Sequence, residues 1–163
     1  MLFASFALGL FALTYVFDDL LDKQANPNQL PSSSVSGSGT REVLLLQNRQ
    51  GHYVVGGQIN ELPVTFLLDT GATDVAIPAE VARAAGLQPG AESRAFTANG
   101  AVSVYATRID TLMIGNIVLH DIVASITPSM AGDTILLGMS ALRQIEFTQR
   151  GDRLTLQQHP ESR

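Results

Sequence analysis

An apolar run that ends in Asp-Thr-Gly constrains this chain more than any other part of its sequence. The stretch from Phe66 to Asp74 reads FLLDTGATD, so an acid, a hydroxyl and a glycine follow an apolar segment without a break. Such a run is typical of a buried strand, and Gly71 favours a tight turn at its end. A carboxylate is costly to bury unless it is hydrogen-bonded, shared or used in chemistry. The rest of the sequence must therefore indicate which of these roles the Asp69 carboxylate has.

Short β segments separated by turn residues fill the chain from Arg41 onward. Strands are predicted at residues 43–46, 53–59, 64–68, 96–98, 101–105, 109–113, 117–119, 122–126, 134–138, 145–147 and 154–156. Helices are predicted at residues 79–85, between Pro78 and Gly86, and near residues 140–144. The pattern predicts an all-β domain over residues 41–158, a closed barrel or sandwich of short strands with one or two short helices, and a tail at 159–163.

The first residues have a different character, because residues 1–17 carry no charge and read MLFASFALGLFALTYVF. As a helix they would extend roughly 25 Å, slightly less than a bilayer core of about 30 Å. The basic residues and cleavage site of a signal peptide are missing from this stretch. We therefore expect a single-pass transmembrane helix over residues 1–22, with a cleaved signal or a core helix as alternatives. The acidic flank at Asp18 and Asp19 favours a domain outside the cytoplasm, in the periplasm or beyond.

Residues 23–40 read KQANPNQLPSSSVSGSGT, with five serines, two glycines and two prolines. This composition is typical of a flexible linker, whose r.m.s. reach at this length would be about 25 Å. The sequence thus predicts a β domain on a tether beside a membrane.

Charge and residue usage exclude several kinds of function. The net charge of −5 and the lack of a basic patch argue against nucleic acid as a partner. The chain has no cysteine, which excludes disulfides and thiolate chemistry. His52, His120 and His159 lack the spacing of metal ligands, so neither a metal nor another cofactor is expected.

Leu67 to Thr73 resembles the catalytic turn of the retropepsin-like (clan AA) aspartic proteases. Asn99-Gly100, the strongest short hairpin signal in the chain, lies where that family has its flap. Leu136-Leu137-Gly138 lies where the family has the strand that braces the catalytic loop, and a short helix follows at once. The resemblance covers about residues 50–157, and the apolar N-terminal segment with its linker resembles the bacterial membrane-anchored members.

The resemblance implies functional roles for several residues. Asp69 is the implied catalytic acid. Residues implied to support the catalytic loop are Thr70, Gly71, Ala72 and Gly138. Residues implied to form the flap over a polypeptide substrate are Ala98, Asn99 and Gly100. Asp74 is equally suited to binding the substrate backbone and to capping the following turn.

Hydrolysis by two acids gives Asp69 a chemical purpose. One carboxylate activates water as a base while a protonated second one polarises the scissile carbonyl, and two close carboxylates share a proton readily. The chain contains one Asp-Thr-Gly, so the second acid must come from another copy in a two-fold homodimer. The sequence therefore favours an aspartic endopeptidase that is active as a homodimer at a membrane.

Other functions remain open on the sequence. Asp69 could cap an ordinary turn, or the chain could be a non-catalytic binding or scaffold module of the same fold. A phosphoryl-accepting aspartate would need further acidic metal ligands, for which only Asp110, Asp121 and Asp133 are candidates downstream. The short β pattern lacks the alternating helices of such folds.

The sequence also departs from the retroviral members of the family, in which an Asp after Asp-Thr-Gly-Ala and an Arg after the later glycine support the dimer through ionic contacts. These positions are Thr73 and Met139 here, so that ion pair cannot form. We expect the dimer to be supported elsewhere, with the closing hairpin around Leu154 to Leu156 as the candidate, and tethering to compensate for a weak contact.

Overall fold

Strands dominate residues 21–97 and 100–160, the parts of the chain that the computed structural model describes. The strands are β1 Ser32–Val35, β2 Arg41–Leu46, β3 Val54–Ile59, β4 Leu62–Leu68, β5 Val75–Pro78, β6 Glu92–Thr97, β7 Gly100–Ile114, β8 Ile117–Thr127, β9 Thr134–Leu137, β10 Glu146–Arg150 and β11 Arg153–Gln158. The helices are α1 Ala79–Ala84 and α2 Met139–Leu142, and residues 21–25 are helical as well. The predicted β class with short helices is confirmed.

The strands form two sheets. The larger has the order β3-β4-β9-β5-β8-β7-β6, and β3 also pairs with β7 through Gln58↔Met113 and Ile59↔Leu112. This extra pairing closes the sheet into a barrel, with β6 attached outside it. The smaller sheet is antiparallel, in the order β1-β2-β11-β10. The chain therefore contains the closed barrel that its pattern of short strands predicts, and a second sheet beside it.

The core lies inside the barrel and beneath the smaller sheet. Its largest fully buried side chains are those of Phe66, Leu45, Ile59, Ile77, Ile109, Leu112, Ile114, Ile117, Leu119, Ile122, Ile135 and Leu137. Burial of this much apolar surface provides most of the drive for folding. Leu154 and Leu156 belong to the same core, with 5% and 0% of their surfaces exposed. Strand β2 and the core of the same subunit cover these two leucines, so the expected support of a dimer by the closing hairpin stays a prediction about its other residues.

Strand β9 determines how the barrel presents Asp69. It lies between β4, to which it is parallel, and β5, to which it is antiparallel. Leu68 at the end of β4 pairs with Leu137 at the end of β9. The loop at residues 69–74 connects β4 to β5 and therefore passes the end of the strand that separates them.

The structure differs from the predicted flexible linker at residues 23–40. Residues 32–35 form β1, which pairs with β2 in the register Ser33↔Val43. Just before it, Asn28 is only 3% exposed and its backbone carbonyl accepts the N–H of Gly56 at 3.0 Å. A serine-rich segment can form a strand when a neighbouring strand supplies its backbone partners, because pairing depends on the backbone more than on side-chain polarity.

The Asn28 side chain joins this N-terminal segment to two strands. Its amide nitrogen donates to the carbonyls of Leu46, at 2.9 Å, and Val54, at 2.7 Å. Its oxygen accepts the backbone N–H of Leu46 at 2.7 Å. A Cβ on Gly56 would lie 2.4 Å from the carbonyl oxygen of Gln29, so only glycine allows this close approach. Asn28 thus replaces the partner strand that β2 and β3 lack at this point.

Several predicted segments merge into longer elements. The runs at 101–105 and 109–113 belong to the single strand β7, and those at 117–119 and 122–126 belong to β8. A tight turn joins β3 to β4, with positive φ angles of 45° at Asn60 and 70° at Glu61. The closing hairpin of β10 and β11 is confirmed.

The predicted membrane segment at residues 1–22 lies outside the described residues except for its last two positions. Among residues 21–97 and 100–160, no helix is both long and apolar enough to cross a membrane. The tail at 159–163 is described as far as residue 160, and His159 contacts Thr40 at 3.2 Å and Glu146 at 3.1 Å.

Replacing Asn28 by alanine should destabilise the fold by about 2 kcal/mol, because partly buried backbone groups of Leu46 and Val54 lose their partners. Urea unfolding followed by circular dichroism measures the difference. Gln29→Ala, at the exposed neighbouring position, is the matched control and should change stability by less than about 0.5 kcal/mol. Equal stability of the Asn28 variant and the wild type would show that the Asn28 side chain does not contribute to the stability of the fold.

Candidate active site

Asp69 lies in a tight turn directly after β4. Its backbone N–H donates to the carbonyl of Leu137 at 3.2 Å, which continues the pairing of β4 with β9 by one residue. The N–H of Gly71 donates to Oδ1 of Asp69 at 2.8 Å, and the N–H of Ala72 donates to the Asp69 carbonyl at 3.2 Å. The carboxylate is half-buried, while Thr70 and Gly71 are exposed. One oxygen of Asp69 is thereby oriented by the backbone on a surface that solvent and a substrate can reach.

The segment that follows β9 lies against the other side of the turn. The N–H of Met139 donates to the carbonyl of Ala72 at 2.8 Å, and the N–H of Ser140 donates to the carbonyl of Thr73 at 2.9 Å. A Cβ on Gly138 would lie 2.2 Å from the backbone oxygen of Asp74. Gly138 therefore contacts the loop of Asp69 at a distance that no other residue type permits.

Ser140 is a residue of this site that the sequence did not reveal. Its hydroxyl accepts the N–H of Val75 at 3.0 Å and donates to the carbonyl of Val123 at 2.7 Å. With its own N–H on Thr73, Ser140 binds the last part of the turn, the start of β5 and strand β8. A serine near the start of a short helix has many common roles, and no local pattern indicates these distant partners.

Thr73 and Met139, the positions that depart from the retroviral pattern, also contact this region. The Thr73 carbonyl accepts the bond from Ser140, and the Met139 side chain packs against the core while its N–H bonds to Ala72. Backbone hydrogen bonds and packing therefore connect the two segments where an ion pair is absent from the sequence. Asp74 is half-buried at the end of the turn, immediately before β5.

The predicted flap corresponds to the hairpin of β6 and β7. Thr97 lies opposite Gly100, and the Thr97 hydroxyl donates to the Gly100 carbonyl at 2.9 Å. Gly100 has a φ of 110°, a conformation that side chains rarely allow. Ala98 and Asn99 lie outside the described residues. Phe96 is 89% exposed on this hairpin, which therefore presents an apolar side chain to solvent.

Two cavities of the described chain lie away from the turn of Asp69. A cavity of about 710 Å³ is lined by the N-terminal segment, β3, β4 and α1, and one of about 560 Å³ lies around Gln88 and Arg108. None of residues 69–74 lines either cavity. Within the described parts of the chain, no three His, Cys, Asp or Glu side chains are grouped to hold a metal ion. Asp69 thus lies outside these two cavities, beside the exposed residues Thr70 and Gly71.

Comparison with known proteins decides the family. Residues 55–144, more than half of the chain, match the model of the family described as "gag-polyprotein putative aspartyl protease". The chain belongs to this family of retropepsin-like aspartyl proteases. The matched residues include the turn of Asp69, the hairpin of β6 and β7, and the segment with Gly138 and Ser140.

Solved structures and a curated relative show further similarities to this chain. The fold resembles the crystal structure of a retropepsin-like aspartic protease from Rickettsia conorii, with a TM-score of 0.60 and 23% identity over 78% of this chain and 94% of that one. A protease of EIAV solved with the inhibitor HBY-793 is 18% identical over 59% of this chain and 89% of that one, with a TM-score of 0.48.

The curated relative is an uncharacterised protein from the cobV 5′ region of a Sinorhizobium species. It is 32% identical over 122 residues, or 72% of this chain. The chain spans about half (52%) of that relative's length.

Gly138→Ala should destabilise the protein by about 2–3 kcal/mol, because the new methyl group would collide with the backbone of Asp74 and the loop would have to move. Thermal unfolding and a crystal structure of the variant would measure the cost and the displacement. Gly37→Ala is the control, since a Cβ there meets no atom within 4 Å. Unchanged stability of Gly138→Ala would contradict the close approach.

Ser140→Ala should cost about 1–2 kcal/mol and should increase hydrogen exchange at the Val75 amide, because that N–H loses its acceptor. Amide exchange measured by NMR distinguishes this local effect from a general loss of stability. Ser129→Ala, at an exposed position, serves as the matched control. Protection of Val75 equal to that in the wild type would show that the hydroxyl does not hold the turn.

Proposed function

We propose that the protein is an aspartic endopeptidase whose active site contains two Asp69 residues, one from each subunit of a homodimer. The observation that carries the proposal is the single Asp69, oriented by the N–H of Gly71 on an open turn of a retropepsin-like barrel. Because the chain contains one Asp-Thr-Gly, a pair of acids requires a second copy. A pure binding module gives no reason for a half-buried, oriented acid at this point.

The chemistry assigns different tasks to the two carboxylates. The ionised one accepts a proton from water, which attacks the carbonyl carbon of the scissile peptide bond, while the protonated one donates a hydrogen bond to the carbonyl oxygen. As the tetrahedral intermediate collapses, the carboxyl group that took a proton from water donates it to the leaving nitrogen, and the C–N bond breaks. The shared proton belongs to the pair rather than to either residue. Activity is therefore expected to fall when the pair holds no proton and when it holds two.

The neighbouring residues have supporting tasks in this proposal. Gly71 orients Asp69, Thr70 contacts the partner subunit near the axis, and Ala72 and Gly138 hold the turn against the segment after β9. The hairpin tip at Ala98, Asn99 and Gly100 closes over an extended polypeptide and excludes water. Asp74, at the end of the turn, is placed to bind the substrate backbone.

The cellular context is a further part of the proposal. Residues 1–22 anchor the protein in a membrane as a single span, and the barrel lies on the periplasmic or extracytoplasmic side. The uncharged, apolar stretch at residues 1–17 and the acidic residues after it support this arrangement. Two barrels held at one membrane surface meet more often than free ones, which favours a dimer of modest intrinsic strength.

Asp69→Asn should reduce peptide cleavage by at least about 10³-fold, because an amide can neither accept the proton of water nor share one with its partner. The assay uses the full chain and a diverse peptide mixture over acidic to neutral pH, with mass spectrometry of the products. Asp110→Asn, at an exposed position in β7, is the matched control and should retain activity. Cleavage that survives in the Asp69 variant would exclude the mechanism.

Failure of the wild type to cleave any peptide under these conditions would favour the non-catalytic binding module instead. Unfolding measurements on Asp69→Asn distinguish misfolding from loss of the catalytic group. If the variant is folded but inactive, the loss of cleavage is due to the missing carboxylate.

A further inference from the structure

The turn of Asp69 is held on two sides by backbone hydrogen bonds. On the β9 side, its own N–H donates to the Leu137 carbonyl. On the β3 side, the N–H of Leu68, the residue before Asp69, donates to the carbonyl of Tyr53 at 3.0 Å. Tyr53 lies directly before β3 and is only 9% exposed, with its side chain in the core. The position of the Tyr53 carbonyl therefore contributes to the position of the catalytic turn.

The loop at residues 48–52 leads into Tyr53 and is closed by Asn48. Oδ1 of Asn48 accepts the N–H of Gln50 at 3.0 Å and the N–H of His52 at 2.9 Å. The N–H of Asn48 donates to the His52 carbonyl at 2.8 Å. Asparagine favours such turns because its side chain bonds to the backbone two residues further on. Asn48 therefore determines how the chain enters β3.

The amide nitrogen of Asn48 binds a different part of the chain. It donates to the carbonyl of Ala25, the last helical residue of the N-terminal segment, at 3.0 Å. The last carbonyls of a helix have no partner within it, so this bond caps the helix. Beside it, Nη1 of Arg49 donates to Oε1 of Gln24 at 2.9 Å. Residues 24–28, the stem, are thus bound to the loop before β3.

The stem is itself fixed by buried polar side chains. Asn26 and Asn28 are 9% and 3% exposed, and Oδ1 of Asn26 accepts the N–H of Asn28 at 2.9 Å. The Asn28 side chain donates to the carbonyl of Val54, the residue after Tyr53. The stem is therefore bonded to the chain on both sides of Tyr53, through Asn48 before it and through Val54 after it.

We propose that Asn48 is a positioning residue for the proposed reaction, acting through the Tyr53 carbonyl on the turn of Asp69. It closes the loop before β3 and binds the stem, and both contacts fix the acceptor of the Leu68 N–H. The proposal rests on the proposed function, because the position of a carboxylate affects a rate only where the carboxylate reacts. The stem then supports the active site directly, in addition to connecting it to residues 1–22.

The expected effect is on the rate of the chemical step. Two carboxylates that share a proton must both reach the same water and scissile carbonyl, and a misplacement of about 1 Å can reduce a rate by about 100-fold. In a homodimer each subunit contributes its own turn, so a substitution displaces both acids. Asn48 lies outside the catalytic turn and outside the hairpin of β6 and β7, so substrate affinity should change little. A positioning role therefore predicts a lower kcat at a nearly unchanged KM.

Two substitutions of Asn48 separate its contacts. Asn48→Asp keeps an oxygen that accepts the N–H groups of Gln50 and His52, but it loses the donor to Ala25. Asn48→Ala loses all of these side-chain contacts. With the full chain in mild detergent and a peptide that the wild type cleaves, Asn48→Ala should lower kcat by about tenfold or more and change KM by less than about twofold. Asn48→Asp should lower kcat by a smaller factor, because only the stem is released.

The assay has two controls. Gln50→Ala changes an exposed side chain in the same loop and keeps the backbone N–H that Asn48 binds, so it should cleave like the wild type. Rates are measured at concentrations where doubling the protein leaves the rate per subunit unchanged, so that dissociation of a dimer does not lower them. Unfolding curves define a temperature at which every variant is folded. An Asn48→Ala protein that loses stability but keeps its kcat at that temperature would show that Asn48 only stabilises the fold, and would overturn the proposal.

Amide hydrogen exchange tests the same contacts without any cleavage. In Asn48→Ala the Leu68 amide should exchange about tenfold faster or more than in the wild type, since its acceptor on Tyr53 is less fixed. The reference is the Leu87 amide, which donates to the Ala82 carbonyl at 2.9 Å beyond the end of α1. An equal increase at both amides would indicate a general loss of stability, and unchanged exchange at Leu68 would exclude the connection. Either result would overturn the proposal.

Exchange and cleavage are measured separately, so the two proposals can fail separately. Local acceleration at Leu68 in Asn48→Ala, with no cleavage by the wild type, would support the positioning of the turn and contradict the protease. Cleavage by the wild type and by Asn48→Ala at the same kcat would support the protease and overturn the positioning role. If both proposals hold, the loss of kcat and the local acceleration should occur together in Asn48→Ala, and to a smaller extent in Asn48→Asp.

Discussion

Three backbone hydrogen bonds between residues 69–73 and residues 137–140 are the contacts on which the rest of the structure depends. They join Asp69 to Leu137, Met139 to Ala72 and Ser140 to Thr73. The turn has no regular secondary structure of its own, and a loop of this length would sample many conformations without external partners. Because β9 lies between β4 and β5, its end is the one place from which a single segment can contact the whole turn. The strand order of the barrel thus determines how the turn that carries the Asp69 carboxylate is held.

The local signals in the sequence account for much of the fold. The apolar run before Asp69, the Pro78 and Gly86 boundaries, and the closing hairpin each follow rules that act within a few residues. They locate most of the strands and both short helices. The order of strands in the sheets does not follow from such rules, because it is decided by pairings between distant residues, such as Thr65↔Thr134. Local sequence rules therefore do not predict the strand order, for which the resemblance to a known family is the available guide.

The failures of sequence reasoning have a common physical cause. The side chains of Asn28 and Ser140 stabilise the structure through hydrogen-bond partners that are 17 to 65 residues away along the chain. Their side chains look like ordinary loop or helix-start residues until the acceptors are in place. Likewise, the alternation in the closing hairpin identifies two strands but not which of them is central. Strand β11 is covered because β2 pairs with it, and β10 becomes the edge.

The attachment of Asn28 to the barrel has a mechanical consequence. A flexible linker of 18 residues would allow the domain to move and rotate freely relative to residues 1–22. Instead, the chain is pinned to two strands at residue 28, and β1 continues along the sheet. If residues 1–22 are held in a bilayer, the short segment between residues 22 and 28 keeps the barrel close to the membrane surface, in a restricted range of orientations. The distance and orientation of the barrel relative to the membrane, as well as the shape of the site, would then determine which polypeptides can reach Asp69.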